Sequence, residues 1–254
     1  MSFAVSGDAY DAFMGRFSAK LAPIFADWAG VERGQTALDV GCGSGILTQE
    51  LAARLGPAAV SAIDPSPLVE ACAARIPEAD VRRGSAEVLP WADGSFDIAI
   101  AQLVIHFLDD PQAGIVEMRR VVRAGGVVAV CSWDFPQMQL LRTFWESVRH
   151  VDPRKEGEAF RYDTLEGLAG LGRDAGLEDV QTALLDVSSS YENFDELWST
   201  FLLGVGPGGE YLLSLPPEKR DAIRDEYRRR IGEPAGGFTL YARASAVRGR
   251  APAA

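Results

Sequence analysis

Segments of strand length alternate with amphipathic segments through the middle of the chain. The pattern predicts strands at 36–40, 59–63, 80–83, 96–101 and 127–133, and helices at 46–54, 67–74, 113–122 and 139–150. Between the third helix and the fifth strand, Gly125 and Gly126 predict a turn. Alternation of this kind is typical of βαβ units in a parallel sheet.

The second half of the chain continues the alternation with two long interruptions. A helix is predicted at 164–175, ended by Gly176, and two more strands at 180–187 and 238–247. The segment 188–236 between those strands is too long for a hairpin loop. Its parts 193–203 and 217–231 have helical spacing and are separated by a connector rich in Gly and Pro at 204–216. Long insertions often form lids over a binding site.

A length of 254 residues permits one large α/β core with insertions. We expect an N-terminal helical segment at 1–34 and a core at 35–134. The remainder, 135–254, would complete the sheet and carry helical lid insertions at 135–163 and 188–236.

The junction after the first predicted strand carries candidate chemistry. Asp39 is followed by three alternating glycines, Gly41, Gly43 and Gly45. Glycine has no Cβ, so such a loop lets a ligand approach the backbone closely. The dinucleotide fingerprint needs a further glycine where this chain has Ile46, so the spacing favours a ligand without a pyrophosphate.

Asp64 ends the second predicted strand. In nucleoside-binding α/β folds, an acid at this place accepts hydrogen bonds from both ribose hydroxyls. Taken alone, Asp64 would be better interpreted as an exposed turn acid before Pro65; together with the glycine loop, the ribose role is favoured.

Several motifs in order carry a resemblance to a known family. The glycine loop resembles motif I of the class I S-adenosylmethionine-dependent methyltransferases. Segments 84–91 and 95–98 resemble the adenine-side loop and fourth strand of the type 11, or ubiquinone-biosynthesis-like, group. Segment 119–126 resembles that group's helix-to-strand turn, with Ala124 where proline is common. The resemblance covers about residues 36–133, and motifs that occur in order at the expected intervals are specific.

The resemblance implies a seven-stranded, doubly wound, Rossmann-like α/β sheet whose last strand is antiparallel, with helical insertions over its carboxyl edge. It also implies S-adenosylmethionine as cofactor and methyl transfer to a small-molecule acceptor, with S-adenosylhomocysteine as product. The acceptor atom, whether oxygen, nitrogen, carbon or sulfur, stays open. A non-catalytic S-adenosylmethionine-binding protein is one alternative. An NAD-dependent oxidoreductase is another, disfavoured by Ile46 and by the downstream motifs.

The resemblance also suggests which residues contact the cofactor. Ser85 stands where the family usually has an acid that binds the adenine amino group, so its hydroxyl or the Ala86 backbone would have to accept that bond. In related methyltransferases an aromatic ring or an arginine of the N-terminal segment closes over the methionyl end of the cofactor. Tyr10 and Arg16 are the candidates here, and the alternative is that they are packing and helix-surface residues. The expected cofactor residues are Tyr10, Arg16, Asp39, Gly41, Cys42, Gly43, Asp64, Pro65, Ser85, Ala86, Gln102 and Leu103.

His106 follows the fourth predicted strand, where this fold faces the reactive end of its cofactor. Methyl transfer from a sulfonium needs no metal and no covalent enzyme intermediate. A nucleophile that starts protonated must still lose its proton, and histidine titrates in the useful range. His106 is therefore a candidate general base, with a buried histidine bonded to backbone as the alternative. Aromatic residues of the insertions would line an acceptor pocket or form the core of the lid itself.

Composition narrows the choice of partners. A net charge of -11 argues against a nucleic-acid substrate, because phosphate contacts need a basic face. Two histidines and three widely spaced cysteines predict no metal site and no disulfide framework. The N-terminus lacks a signal-peptide pattern, and no apolar run reaches membrane-spanning length. We therefore expect a cytoplasmic protein, monomeric or homodimeric, that does not bind membranes.

Overall fold

Seven strands form a single sheet in the computed structural model, which describes residues 9, 11–155, 162, 164–232 and 234–253. The strand order is β3-β2-β1-β4-β5-β7-β6. Strands β1 to β5 pair in parallel, and β7 is antiparallel to both of its neighbours, β5 and β6. The doubly wound sheet with an antiparallel last strand is thus confirmed. The strands are β1 (Ala37–Val40), β2 (Val60–Asp64), β3 (Asp80–Arg83), β4 (Phe96–Gln102), β5 (Val122–Trp133), β6 (Glu178–Tyr191) and β7 (Phe238–Arg250).

Nine α-helices lie within the described residues. They are α1 (Arg16–Ala29), α2 (Ile46–Leu55), α3 (Val69–Arg75), α4 (Pro111–Val121), α5 (Gln139–Val151), α6 (Leu165–Asp174), α7 (Phe194–Phe201), α8 (Gly206–Ser214) and α9 (Pro217–Arg230). A π-helical turn, Asp11–Gly15, precedes α1, and short 3-10 turns occur at Pro57–Ala59, Ile105–Phe107 and Phe135–Gln137. No helix within the described ranges is long and apolar enough to cross a bilayer.

The central strands β1 and β4 and most of β5 are buried on both faces, as parallel strands covered by crossover helices must be. The outer strand β3 and the first half of β6 are largely exposed. Along β4, Ile98 and Ile100 belong to one apolar cluster, which includes Phe17 of α1. Ala99 and Ala101 belong to the other cluster, which packs against α4 and α6. This alternation follows from the two-residue period of a strand.

Local signals explain where several helices begin and end. Asp110 caps α4 by accepting a hydrogen bond from the backbone N–H of Ala113 at 3.0 Å, and Pro111 follows at the first helical position. Thr164 caps α6 in the same way, with Gly167 as donor at 3.1 Å. Gly30 ends α1 in the left-handed conformation.

Two predicted strand boundaries and one predicted connector were wrong. Strand β5 already begins at Val122, so Gly125 and Gly126 lie in a bulge inside the strand rather than in a turn before it. Strand β6 extends to Tyr191, where it pairs with Phe238, so the insertion begins later than predicted. The connector predicted at 204–216 contains the helix α8.

Candidate functional site

A cavity of about 590 Å³ opens at the carboxyl end of the parallel strands. Strand β1 has β2 on one side and β4 on the other, so the chain reverses its direction of winding here, where doubly wound folds bind ligands. The predicted residues that line the cavity are Asp39, Gly41, Cys42, Gly43, Asp64, Pro65, Ser85, Ala86, Gln102 and Leu103. The structure thus gathers into one space residues from four separate loops.

The three loop glycines have different structural reasons. Gly41 has φ +77°, and a Cβ on it would lie 2.3 Å from Cγ2 of Val104. Gly45 has φ +89°, and its Cβ would lie 2.9 Å from Sγ of Cys72. A Cβ on Gly43, at φ +51°, would meet no described protein atom within 4 Å. Gly41 and Gly45 are therefore required by packing, whereas Gly43 leaves open space on the cavity side.

Asp64 connects two loops at the edge of the cavity by hydrogen bonds. One carboxylate oxygen, Oδ2, accepts a hydrogen bond from the backbone N–H of Gly43 at 2.8 Å. The other, Oδ1, accepts from the backbone N–H and the hydroxyl of Ser66. A carboxylate offers about four lone-pair sites. Asp64 therefore orders the loop and keeps acceptor capacity for a ligand hydroxyl.

Asp39 lies beneath the glycine loop. It is buried, and it accepts a hydrogen bond from the hydroxyl of Thr48 at 2.6 Å. Burial raises the pKa of Asp39 to about 8, against the lowering effect of the Thr48 bond. The carboxyl group is consequently protonated at neutral pH.

Gln102 has an unused acceptor inside the protein. Its side-chain Nε2 donates to the backbone carbonyl of Ser18 at 3.2 Å, whereas Oε1 is buried with no hydrogen-bond partner among the described residues. A buried acceptor without a donor is costly and rare in folded proteins. Gln102 itself lines the cavity, and this oxygen has almost no accessible surface there.

Glu87 is a cavity residue that the sequence reasoning missed. The hydroxyl of Ser85 donates to its carboxylate, and the backbone N–H of Asp109 donates to it at 3.2 Å. An acid is therefore present beside Ser85, two residues from the position where the family usually has one. The sequence did contain the signal, because Glu87 lies within segment 84–91, which resembles the adenine-side loop of the family. Leu103 adds a left-handed backbone, with φ +64°, which is uncommon outside glycine.

His106 lies in a second, smaller cavity of about 70 Å³. Leu103 and Phe107 line both cavities, so the two spaces adjoin. The Nδ1 atom of His106 is 3.4 Å from the hydroxyl oxygen of Ser132. Burial lowers the pKa of His106 to about 4, so its imidazole is neutral at physiological pH.

Among its described residues, the N-terminal segment approaches the larger cavity through Ser18 and Asp11, which were not predicted to do so. Arg16 points elsewhere: its guanidinium binds Glu196 and the carbonyl of Ser190, both at 2.7 Å, and it is absent from the lining of both cavities. Asp11 instead accepts a hydrogen bond from the hydroxyl of Ser44 at 2.8 Å. Tyr10 lies outside the described residues.

Aromatic residues of the insertions divide between two roles. Phe144 and Phe201 stack at 4.5 Å and join Trp198 and Tyr227 in a buried aromatic core. Others line the smaller cavity: Phe135 and Trp145, with backbone or side chains of Val205, Gly206, Pro207 and Gly208. One group of aromatic residues in the insertions therefore lines a cavity, and another forms a buried core.

Comparison with known proteins gives the chain a family context. Residues 38–130 match the family described as a methyltransferase domain. An uncharacterized 37.1 kDa protein of transposon TN4556 from Streptomyces fradiae is 34% identical over 157 residues, which are 56% of this chain and 43% of that protein. The chain thus covers less than half the length of this relative.

Solved structures share the fold over nearly the whole chain. The BH2331 protein of Bacillus halodurans C-125 has a TM-score of 0.58 and 18% identity, over 91% of this chain and 98% of its own. Phosphoethanolamine N-methyltransferase 2 of Haemonchus contortus, solved with S-adenosylhomocysteine, has a TM-score of 0.53 and 16% identity, over 92% of this chain and 52% of its own. At these identities the likeness shows the fold.

Proposed function

We propose that this chain, whose residues 38–130 belong to the methyltransferase domain family of the class I, type 11 kind, transfers a methyl group from S-adenosylmethionine to a small-molecule acceptor. S-adenosylhomocysteine would be the second product. The observation that carries the proposal is the large cavity at the winding reversal of the sheet, which brings together Asp64, Gly43 and Gln102.

The residues present fit this cofactor. Asp64 would accept hydrogen bonds from the ribose hydroxyls, in addition to those that it accepts from Gly43 and Ser66. Ser85, Ala86 and Glu87 line the part of the cavity after β3 and would contact the adenine. The methionyl end would lie along the glycine loop, beside Gln102.

The cofactor supplies an electrophilic methyl group on a positively charged sulfur, and the protein has to hold a nucleophile in line with it and exclude water. His106 and the rings around it occupy the adjoining cavity, which suits a site for the acceptor. The neutral imidazole would accept a hydrogen bond from the acceptor and take up its proton. Within the described residues, no group of three or more His, Cys, Asp or Glu could hold a metal ion.

A methyl-transfer assay tests this function. The protein is incubated with methyl-labelled S-adenosylmethionine and a metabolite panel, and S-adenosylhomocysteine release is measured. Acceptor-dependent release that exceeds release without acceptor is expected, and Asp64→Ala should reduce it. A protein that binds S-adenosylhomocysteine but methylates nothing in the panel would favour the alternative of a non-catalytic binding protein.

A further inference from the structure

The smaller cavity has a chemical character of its own. Among the described residues that line it there is no Asp, Glu, Lys or Arg. The lining is dominated by aromatic side chains, among them Phe13 from the N-terminal π-helical turn, Trp133 from β5 and Trp145 from α5. Parts of the chain as far apart in sequence as Phe13 and Trp145 thus build one apolar pocket.

Charged groups near this pocket are engaged elsewhere. The ammonium of Lys155 lies 5.9 Å from the ring centre of Trp145 and 4.7 Å from that of Tyr211, and Lys155 does not line the cavity. Moving a charge from water into an apolar space without a partner costs several kcal/mol, of the order of the penalty for a buried ion. An acceptor that carries a carboxylate, phosphate or ammonium group inside this pocket would find no partner for it among the described lining residues.

Apolar rings gain from the same environment. Burial of apolar surface and edge or offset contacts between rings both stabilise a complex. The volume of about 70 Å³ is small. It is about half of the roughly 150 Å³ of a cavity that holds one benzene ring, so an acceptor no larger than a single ring would enter it in part, with the remainder in the adjoining larger cavity.

The polar side chain in this lining is His106. Since burial holds its pKa near 4, the imidazole is neutral and offers either a hydrogen-bond acceptor or a donor, depending on its tautomer. A neutral imidazole is suited to one hydroxyl group rather than to a full charge.

We infer that the smaller cavity binds an uncharged acceptor of single-ring size and places its hydroxyl group against His106. This substrate class rests on the methyl transfer proposed above. In the transfer, an oxygen lone pair of the acceptor forms the new O–CH₃ bond. The S–CH₃ bond breaks with its electron pair left on sulfur, and the hydroxyl proton passes to His106 and then to solvent. The hydroxyl becomes strongly acidic as the O–CH₃ bond forms, so an imidazole of low pKa can accept that proton.

Three matched phenols test the inference: 4-methylphenol, 4-hydroxybenzoate and 4-hydroxybenzylamine, which share a ring and a hydroxyl and differ in charge. Their binding to the protein saturated with S-adenosylhomocysteine is measured by calorimetry, and their methylation from S-adenosylmethionine is measured alongside. The neutral phenol is expected to bind at least about tenfold more tightly than either charged probe. Equal or tighter binding of a charged probe would overturn the inference.

A variant that places a positive charge in the smaller cavity tests where the acceptor binds. Leu141 lines the smaller cavity, and Leu141→Arg should shift the preference toward 4-hydroxybenzoate at least about tenfold relative to 4-methylphenol. Leu213→Arg, at an exposed position of α8 outside both cavities, is the matched control and should leave the preference unchanged. An unaltered preference in Leu141→Arg would contradict the placement of the acceptor.

Titration with S-adenosylhomocysteine alone separates the two proposals. If S-adenosylhomocysteine binds but 4-methylphenol does not bind up to its solubility limit, the substrate class is wrong and the cofactor site stands. If S-adenosylhomocysteine itself does not bind to the folded protein, the proposed function fails, and the acceptor inference fails with it.

Discussion

Asp39 and Asp64 are buried acids of neighbouring strands that meet the same cavity, yet they have different surroundings. Asp64 accepts hydrogen bonds from Gly43 and Ser66 and so orders two loops. Asp39 accepts one bond, from Thr48, and burial raises its pKa to about 8. Asp64 is therefore available to a ligand, whereas Asp39 is protonated and lies beneath the glycine loop.

The raised pKa of Asp39 makes stability depend on pH. The unfolded carboxyl group, with a pKa of 3.8, releases its proton long before the folded one, so the unfolded state binds fewer protons between pH 4 and 8. The contribution of Asp39 to stability is thus full below pH 4 and is lost as pH rises toward 8. Asp39→Asn keeps an acceptor for Thr48 and removes the titration. It should raise the free energy of unfolding at pH 8 by at least about 1 kcal/mol, and less at pH 5.

Urea unfolding of both proteins at the two pH values measures the difference. A variant less stable than the parent at pH 8, or a gain that does not grow with pH, would show that the carboxylate is ionised in the folded protein.

His106 sets a second pH dependence, on activity. Because burial lowers its pKa to about 4, the neutral imidazole persists from neutral pH down to that value and becomes protonated below it. With any acceptor that the enzyme methylates, kcat should show no loss due to His106 between pH 7 and 5. The pH profiles of the parent and of His106→Gln test this. An acid limb near pH 6.5 in the parent that disappears in the variant would contradict a buried, neutral histidine.

At the scale of elements, strands and crossover helices followed the apolar pattern closely, whereas α8 did not. Its first turn contains Gly206, Pro207, Gly208 and Gly209, which have low helix propensity. Tertiary contacts explain the glycines: a Cβ on Gly208 would lie 3.2 Å from the ring of Phe144, and one on Gly209 would lie 2.8 Å from the backbone of Gly204. Pro207 suits the first turn of a helix, which needs no N–H donor there. Helix propensities describe single residues and carry no information on such tertiary contacts, so the sequence pattern did not predict α8.

Two glycine substitutions separate packing from propensity. Gly209→Ala forces a Cβ against backbone atoms, so we expect a loss of about 1–3 kcal/mol in the free energy of unfolding. Gly170→Ala, inside α6 with no heavy atom within 4 Å of its Cβ, should stabilise by about 0.5–1 kcal/mol. Thermal and urea unfolding measure both. A neutral Gly209→Ala would mean that α8 is not packed as described.

The insertion between β6 and β7 should respond to ligand if it covers the site. Val205, Pro207 and Gly208 line the smaller cavity with Leu141 and Trp145 of α5. We expect S-adenosylhomocysteine with a bound acceptor to slow hydrogen exchange in 205–212 as well as in the glycine loop, because lids often become ordered on binding. Peptide-resolved exchange with and without ligands measures this. Protection confined to the glycine loop and Asp64 would identify the insertion as a rigid annex.

At the scale of the whole molecule, the sheet and the larger cavity could be predicted because their residues follow strands in a regular order. Asp64 ends β2 and Gln102 ends β4, the strands on either side of β1, and the carboxyl ends of parallel strands meet at one edge. Contacts between distant segments could not be predicted. Arg16 pairs with Glu196, 180 positions away, and so lies apart from the cavity to which the resemblance assigned it. The smaller cavity likewise combines residues from Phe13 to Gly208.

Calorimetric titration of S-adenosylhomocysteine into the purified protein tests whether the larger cavity binds the proposed cofactor. The account predicts saturable binding with one molecule per chain and no comparable binding of NADH. Asp64→Ala should weaken the affinity at least about tenfold, because a charge-assisted hydrogen bond contributes about 1.5–3 kcal/mol. Asp93→Ala, at an exposed acid outside the cavity, should not weaken it. No binding to the folded protein, tighter binding of NADH, or an unchanged affinity in Asp64→Ala would contradict the account.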